Sequence, residues 1–163
     1  MIEVIKKPKI RMEPGWNEQA WPNFKPEEFL CKCKEDCTHK DIRILDPKVV
    51  ELLQLRRKEV ELPMTILSGL RCEKHNKKVG GAKNSRHKQG KAADFTYADF
   101  DAIGEAMLWG IQFKTYKGGI IAYPENNFVH IDTDMSGKPY TRHFIKLEGE
   151  PYEAVEFRGL HNN

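Results

Sequence analysis

The sequence predicts an α+β domain with a small antiparallel sheet and flanking helices. Three observations carry that expectation. The pattern along the chain runs from one clear helix into mixed strands and helices. The strand-like runs are short, and Gly or Pro turns stop or join them. The 163 residues, 39% of them hydrophobic, give a single domain enough apolar material for a core.

Residues 1–22 contain Pro8, Pro14 and Pro22 without a sustained period and read as an irregular or single-strand arm before a single domain over 23–163. "NFKPEEFLC" places Pro26 at a first helical position with two acids behind it, which suits a short helix. "DPKVVELLQLRRKEV" is the clearest helix. Asp46 caps it, Pro47 takes the first position, and Val49, Leu52, Leu53 and Val60 form a stripe with Leu55 beside it. Pro63 ends it. "MTILSG" is a short strand stopped by Gly69, and "CEKHNKKVGG" a short helix broken at Gly80-Gly81. "KAADFTY" reads as a strand. "DFDAIGEAMLWGIQF" reads as an amphipathic helix with Ile103, Met107, Leu108 and Ile111 inward. Gly118-Gly119 is a turn, "IIAY" and "FVHIDTD" are strands joined around Pro124–Asn127, and "YTRHFIKL" is a further strand.

A net charge of +3 is too mild to argue for nucleic acid, and no apolar run reaches the length of a membrane span. Lysines gather between Lys74 and Lys91, as a solvated loop or as a surface for an anionic polymer. "MIEVIKKPKI" lacks the apolar stretch of a secretory signal, so the expected location is the cytoplasm at first. Cys31, Cys33 and Cys37 follow a C-x-C-x3-C spacing, with Cys72 later. Buried thiols, disulfides and a structural zinc site compete, with His39 able to replace one cysteine. The spacing is not that of a paired CxxC knuckle, which favours thiols or disulfides.

The chemistry gathers in two stretches. In "FVHIDTD", strand alternation puts His130, Asp132 and Asp134 on one face and Val129, Ile131 and Thr133 on the other. In "SRHKQGKAADF", His87 and Asp94 flank Gly90 and Ala92-Ala93. Two imidazoles and a carboxylate form a familiar set for catalytic zinc, which keeps a fourth place for water and lowers its pKa toward ~7. The same residues also read as a loop histidine, a turn acid and a packed strand histidine. Tyr97, Tyr123 and Phe128 suit either a substrate groove or packing, and Trp16, Trp21 and Trp109 suit packing.

"SGLR" (68–71), "HNKKVGGAKNSRHKQGKAADF" (75–95) and "IAYPENNFVHIDTD" (121–134) resemble the zinc peptidases of peptidoglycan, in order over roughly residues 24–134. That group includes D-alanyl-D-alanine carboxypeptidases and dipeptidases and phage endolysins that cut L-alanyl-D-glutamate bonds. The Hedgehog signalling domain shares its fold. The resemblance, strongest to the short carboxypeptidase-like branch, implies that His87, Asp94 and His130 hold Zn2+ and that Arg71 stabilises the oxyanion. Ser68 and Ser85 would bond ligands or substrate, or only cap turns, and Gln89 would be scaffold. Many relatives carry a general base three residues before the last histidine, where this chain has Asn127. Asp132 or Glu125 would then serve as that base, or Asp132 would orient a histidine. The implied function is hydrolysis of peptidoglycan stem peptides, of D,D-carboxypeptidase or L-Ala-D-Glu endopeptidase type. A monomeric lysin that passes from host cytoplasm to cell wall is the expected setting, with no nucleic-acid or membrane partner. The alternative is a weak or inactive zinc-binding module on the same fold.

Overall fold

The computed structural model describes residues 15–113, 118–134 and 142–155. Its helices are α1 (Pro47–Val60), α2 (Glu73–Lys78) and α3 (Ala102–Gln112). Six strands form one sheet: β1 (Met64–Ser68), β2 (Ala92–Tyr97), β3 (Gly119–Tyr123), β4 (Phe128–Asp132), β5 (Arg142–Ile145) and β6 (Glu153–Ala154). Their order is β1-β2-β4-β3-β5-β6. All pairs are antiparallel except β3 with β5. This is the α+β architecture expected, with one parallel pair added. Among the described residues, no helix is long and apolar enough to cross a membrane.

The helix starts follow the local chemistry. Pro26–Phe29 is a 3-10 turn in which Glu28 reaches back to the Lys25 N–H at 2.6 Å. Asp46 accepts from Lys48 N at 3.0 Å, with Pro47 at the first helical position. Its other oxygen accepts from the Thr133 hydroxyl at 2.5 Å, and its own N–H donates to Gly90 at 2.7 Å. The cap therefore ties α1 to the end of β4 and the approach to β2. Asp101 caps α3 through Ile103 N and Gly104 N, and a Cβ on Gly104 would come within 2.7 Å of that carboxylate.

One face of the sheet carries Ala93, Phe95, Val129, Ile131, Ile120 and Ala122 into the core, against α1, α3, Phe29 and Leu70. Val49, Leu52 and Leu53 point inward as expected, whereas Leu55 is 45% exposed. The inward face of α3 is the reverse of the expectation. Ile103, Met107, Leu108 and Ile111 are exposed, and Ala102, Glu105, Ala106 and Trp109 are buried. Two alanines let the helix approach the sheet, where the Trp109 ring meets Phe95 at 5.5 Å. Glu105 is admitted because Arg56 grips both its oxygens (2.6 and 2.8 Å) and the Tyr97 hydroxyl donates to it at 2.6 Å.

The segment 1–14 of the expected arm lies outside the described residues. Its remainder forms turns in which Trp16 meets Trp21 edge-on at 5.1 Å and packs on Phe29 at 5.6 Å.

Candidate metal centre

The face of the sheet opposite the core is built by register. β1 and β2 pair evenly through Ile66, then shift before Ser68, so Leu67 is a bulge. Strict alternation would turn Ser68 into the core with Met64 and Ile66. The extra residue instead brings it opposite Asp94. Asp94 lies opposite His130, and His130 opposite Ile121. Side chains paired across strands share a face, so Asp94 and His130 meet on the two central strands. His87 arrives from the 3-10 turn Arg86–Gln89. Gly90 closes that turn at φ +69, and a Cβ there would sit 2.1 Å from the Ile44 carbonyl oxygen.

The three predicted ligands converge. His87 Nε2 is 3.1 Å from Asp94 Oδ1 and 3.1 Å from His130 Nδ1, and His130 Nδ1 is 2.8 Å from Asp94 Oδ1. All three residues are buried. The outer ring nitrogens are engaged elsewhere. His87 Nδ1 donates to the Gly69 carbonyl at 2.7 Å, and His130 Nε2 faces Asp132 Oδ2 at 3.4 Å. These contacts aim a lone pair of each ring at the centre.

The electrostatics are those of buried ionisable groups that shift one another. Burial pushes Asp94 up, but His87 and His130 outweigh it and hold the carboxyl well below its usual range. Burial depresses His87 more than Asp94 lifts it. Burial also pulls His130 down, yet Asp132 and Asp94 together raise it to about 9. Burial pushes Asp132 up, but His130 and the N–H groups of Gly119 and Asp134 leave it lowered. Two imidazole nitrogens and a carboxylate oxygen, all within 4.8 Å of one another, fit the donor set of a zinc ion.

Arg71 stands beside this cluster. Its Nη2 donates to Asp94 Oδ2 at 2.7 Å, and its Nε donates to Ser68 Oγ at 2.8 Å. Asp132 lies behind His130 rather than among the converging atoms. Its Oδ1 accepts from Gly119 N (3.0 Å) and Asp134 N (3.1 Å), which gives it the place of an orienting partner. Asn127 adopts φ +50 in the β3–β4 turn and donates to the Phe100 carbonyl at 2.7 Å. Glu125 is exposed and accepts from Glu148 N at 2.7 Å. Tyr97 faces the core. Tyr123 and Phe128 stack at 4.3 Å on the polar face, where Tyr123 OH meets Tyr152 OH at 3.4 Å.

Sequence reasoning missed two glycines that shape the site. Gly119 opens β3 rather than forming a turn, and a Cβ there would lie 2.2 Å from Asp132 Oδ2. Gly69 presents the carbonyl that orients His87 while packing on Phe29, whose carbonyl oxygen would be 2.4 Å from a Cβ. A glycine directly after or before a strand is the only signal of either. The lysine-rich stretch is partly neutralised, since Lys74 pairs with Glu35 and Lys88 with Glu73.

An open α+β sheet that converges two histidines, an aspartate and an arginine on one buried point defines a protein with a candidate catalytic metal centre. The chain belongs to the peptidase M15 family, whose model matches residues 22–132. It is also 34% identical over 76 residues to the peptidoglycan L,D-endopeptidase MepK of Escherichia coli K12 and to that of Shigella flexneri. Those matches cover 44% of this chain and 40% of each relative, so the chain spans well under half the length of the curated relatives it matches.

Proposed function

We propose that the protein is a zinc-dependent peptidase of peptidoglycan peptides, acting as an endopeptidase. The observation that carries this reading is the convergence of His87, Asp94 and His130 with Arg71 at hydrogen-bond distance from the cluster. The family match supports peptidase chemistry, and the name of the MepK relatives supports peptidoglycan and an endopeptidase cut. His87 Nε2, His130 Nδ1 and an Asp94 oxygen would hold the metal. When bound, zinc supplies Lewis acidity and activates water near neutral pH.

The chain's own residues supply the rest. Arg71 is fixed by Ser68 and Asp94, so its guanidinium is preorganised to bind the oxyanion that develops on the scissile carbonyl. Asp132 holds the His130 ring in one orientation and is a positioning residue in this reading. The stacked Tyr123 and Phe128 offer a flat apolar wall beside the centre for a stem peptide.

The Asn127 amide is committed to Phe100, so this position brings no carboxylate to the site. That observation favours the second reading, a metal-binding module with weak or no activity. Digestion of purified peptidoglycan, read by mass spectrometry of the released muropeptides, separates the two. The peptidase yields products with a newly freed peptide terminus, which vanish in His87→Ala and under chelation. Zinc that is bound in the wild type and lost in His87→Ala, without any new terminus on walls of several cross-link types, would establish the module instead.

A further inference from the structure

A second cluster of metal-ligating side chains lies apart from the centre described above. The Sγ atoms of Cys31, Cys33, Cys37 and Cys72 all lie within 4.8 Å of one another. The cysteines come from two remote stretches, the irregular loop after the first 3-10 turn and the residue that caps α2. All four are free thiols. Cys33 and Cys37 are 3.4 Å apart, well beyond the ~2.05 Å of a disulfide. A tetrahedral zinc with Zn–S bonds of ~2.3 Å needs sulfurs about 3.8 Å apart, so the spacing belongs to a metal site. His39 is not part of it. Its Nε2 contacts the Lys88 carbonyl at 2.8 Å and its Nδ1 contacts Thr38 Oγ1 at 3.2 Å.

We propose that Cys31, Cys33, Cys37 and Cys72 form a structural zinc site that clamps the 31–37 loop to the segment carrying Arg71. Two backbone amides already serve its sulfurs: Cys72 N donates to Cys31 Sγ and His75 N to Cys72 Sγ, each at 3.4 Å. Such bonds stabilise thiolates. Binding Zn2+ to four thiols releases up to four protons to solvent and leaves a cluster of net charge −2. Positive charge is at hand, since Lys40 Nζ donates to the Cys33 carbonyl at 3.0 Å. Four protein ligands close the coordination sphere, which marks a structural rather than a catalytic ion. The clamp has a clear site of action. Leu70 N donates to Phe29 O at 2.7 Å and Arg71 N to His87 O at 3.2 Å, so the segment 69–72 threads between the cysteine loop and the histidine turn. Fixing Cys72 fixes the backbone of Arg71 beside it.

The test uses the full chain carrying His87→Ala and His130→Ala, which strips two ligands from the other centre. From zinc-supplemented cells this variant retains one zinc per chain. After exchange into cobalt it shows the intense sulfur-to-cobalt charge-transfer absorption of a thiolate-rich tetrahedral site. Its four thiols react with a disulfide reagent only after the metal is stripped. Adding Cys33→Ser weakens the absorption, because one of the four sulfur-to-metal bonds is lost. Should that change also unfold the loop, the cobalt spectrum of the cysteine-intact chain still decides. A folded cysteine-intact variant with no bound metal and four freely titrating thiols overturns the proposal. So does cobalt bound without the sulfur band, or a mass two hydrogens lower that reports a disulfide within the cluster.

Discussion

At the scale of single residues, the centre separates groups that touch the reacting atoms from groups that aim them. In the proposed peptidase Arg71 would be of the first kind, and its guanidinium is anchored at both ends by Ser68 and Asp94. Removing one such preorganised donor costs about 10²–10³ in kcat. Arg71→Ala is therefore expected to lose that much peptidoglycan cleavage while keeping its zinc, as steady-state kinetics and metal analysis will show. Arg71→Lys restores little, because an ammonium lacks the planar fork that spans both partners. Asp132 would be of the second kind in the same reading. Asp132→Asn weakens zinc binding by about 10–100-fold, the cost of losing an orienting partner, and excess zinc recovers part of the rate. A residue that only shuttles protons would lose kcat at saturating zinc without any change in zinc affinity. The grouping of His87, Asp94 and His130 was legible through the family motifs, whereas their spacing alone left a packed-histidine reading open. For Asp132 the family motifs left two roles open, proton transfer and the orienting of a histidine. Alternation assigns it a strand face but does not say which imidazole nitrogen it meets.

At the scale of elements, α3 shows where pattern reading fails. Counting apolar residues selects the stripe Ile103, Met107, Leu108 and Ile111, and those side chains are exposed. The buried stripe contains an acid that only its partners justify, Arg56 from α1 and Tyr97 from β2, and both are distant in sequence. The ion pair is nearly free of solvent, with side chains 8% and 0% exposed. Removing one member of a buried pair strands the other, so Glu105→Ala is expected to cost about 3–5 kcal/mol in denaturant unfolding. The same network gives a pH signature. Burial first, then the bond to Glu105, pushes the Tyr97 phenol up to about 12. A folded-state pKa above the unfolded value of ~10 favours the protonated phenol in the native chain. Stability from this group is complete below pH ~10 and is lost as pH climbs through about 12. Tyr97→Phe should flatten that alkaline limb of the unfolding curve. The β1 bulge is the other element-level surprise. Reading "MTILSG" as a strand was correct, but a bulge depends on the partner strand, and without it Ser68 would face the core.

At the scale of the whole molecule, the site joins parts of the chain that share little else. His87 rides on a 3-10 turn, Asp94 and His130 on the central strands, and Arg71 on the segment leaving β1. A metal bound among them cross-links these parts in the native state only, so mass action links metal to fold. At free zinc 100-fold above its dissociation constant, binding adds about 2.7 kcal/mol. For a domain of this size each kcal/mol moves Tm by about 2–4 °C, so chelation at the histidine centre should lower Tm by roughly 5–11 °C. The sheet itself should survive, because the core lies on the opposite face. Calorimetry on chain loaded with zinc, with and without a mild chelator, measures the shift. His87→Ala, which cannot hold that ion, should show a much smaller response to the same chelator. A wild-type chain whose Tm ignores chelation while its zinc leaves would mean that the three ligands are held in place by packing alone, and that the ion contributes chemistry but no stability.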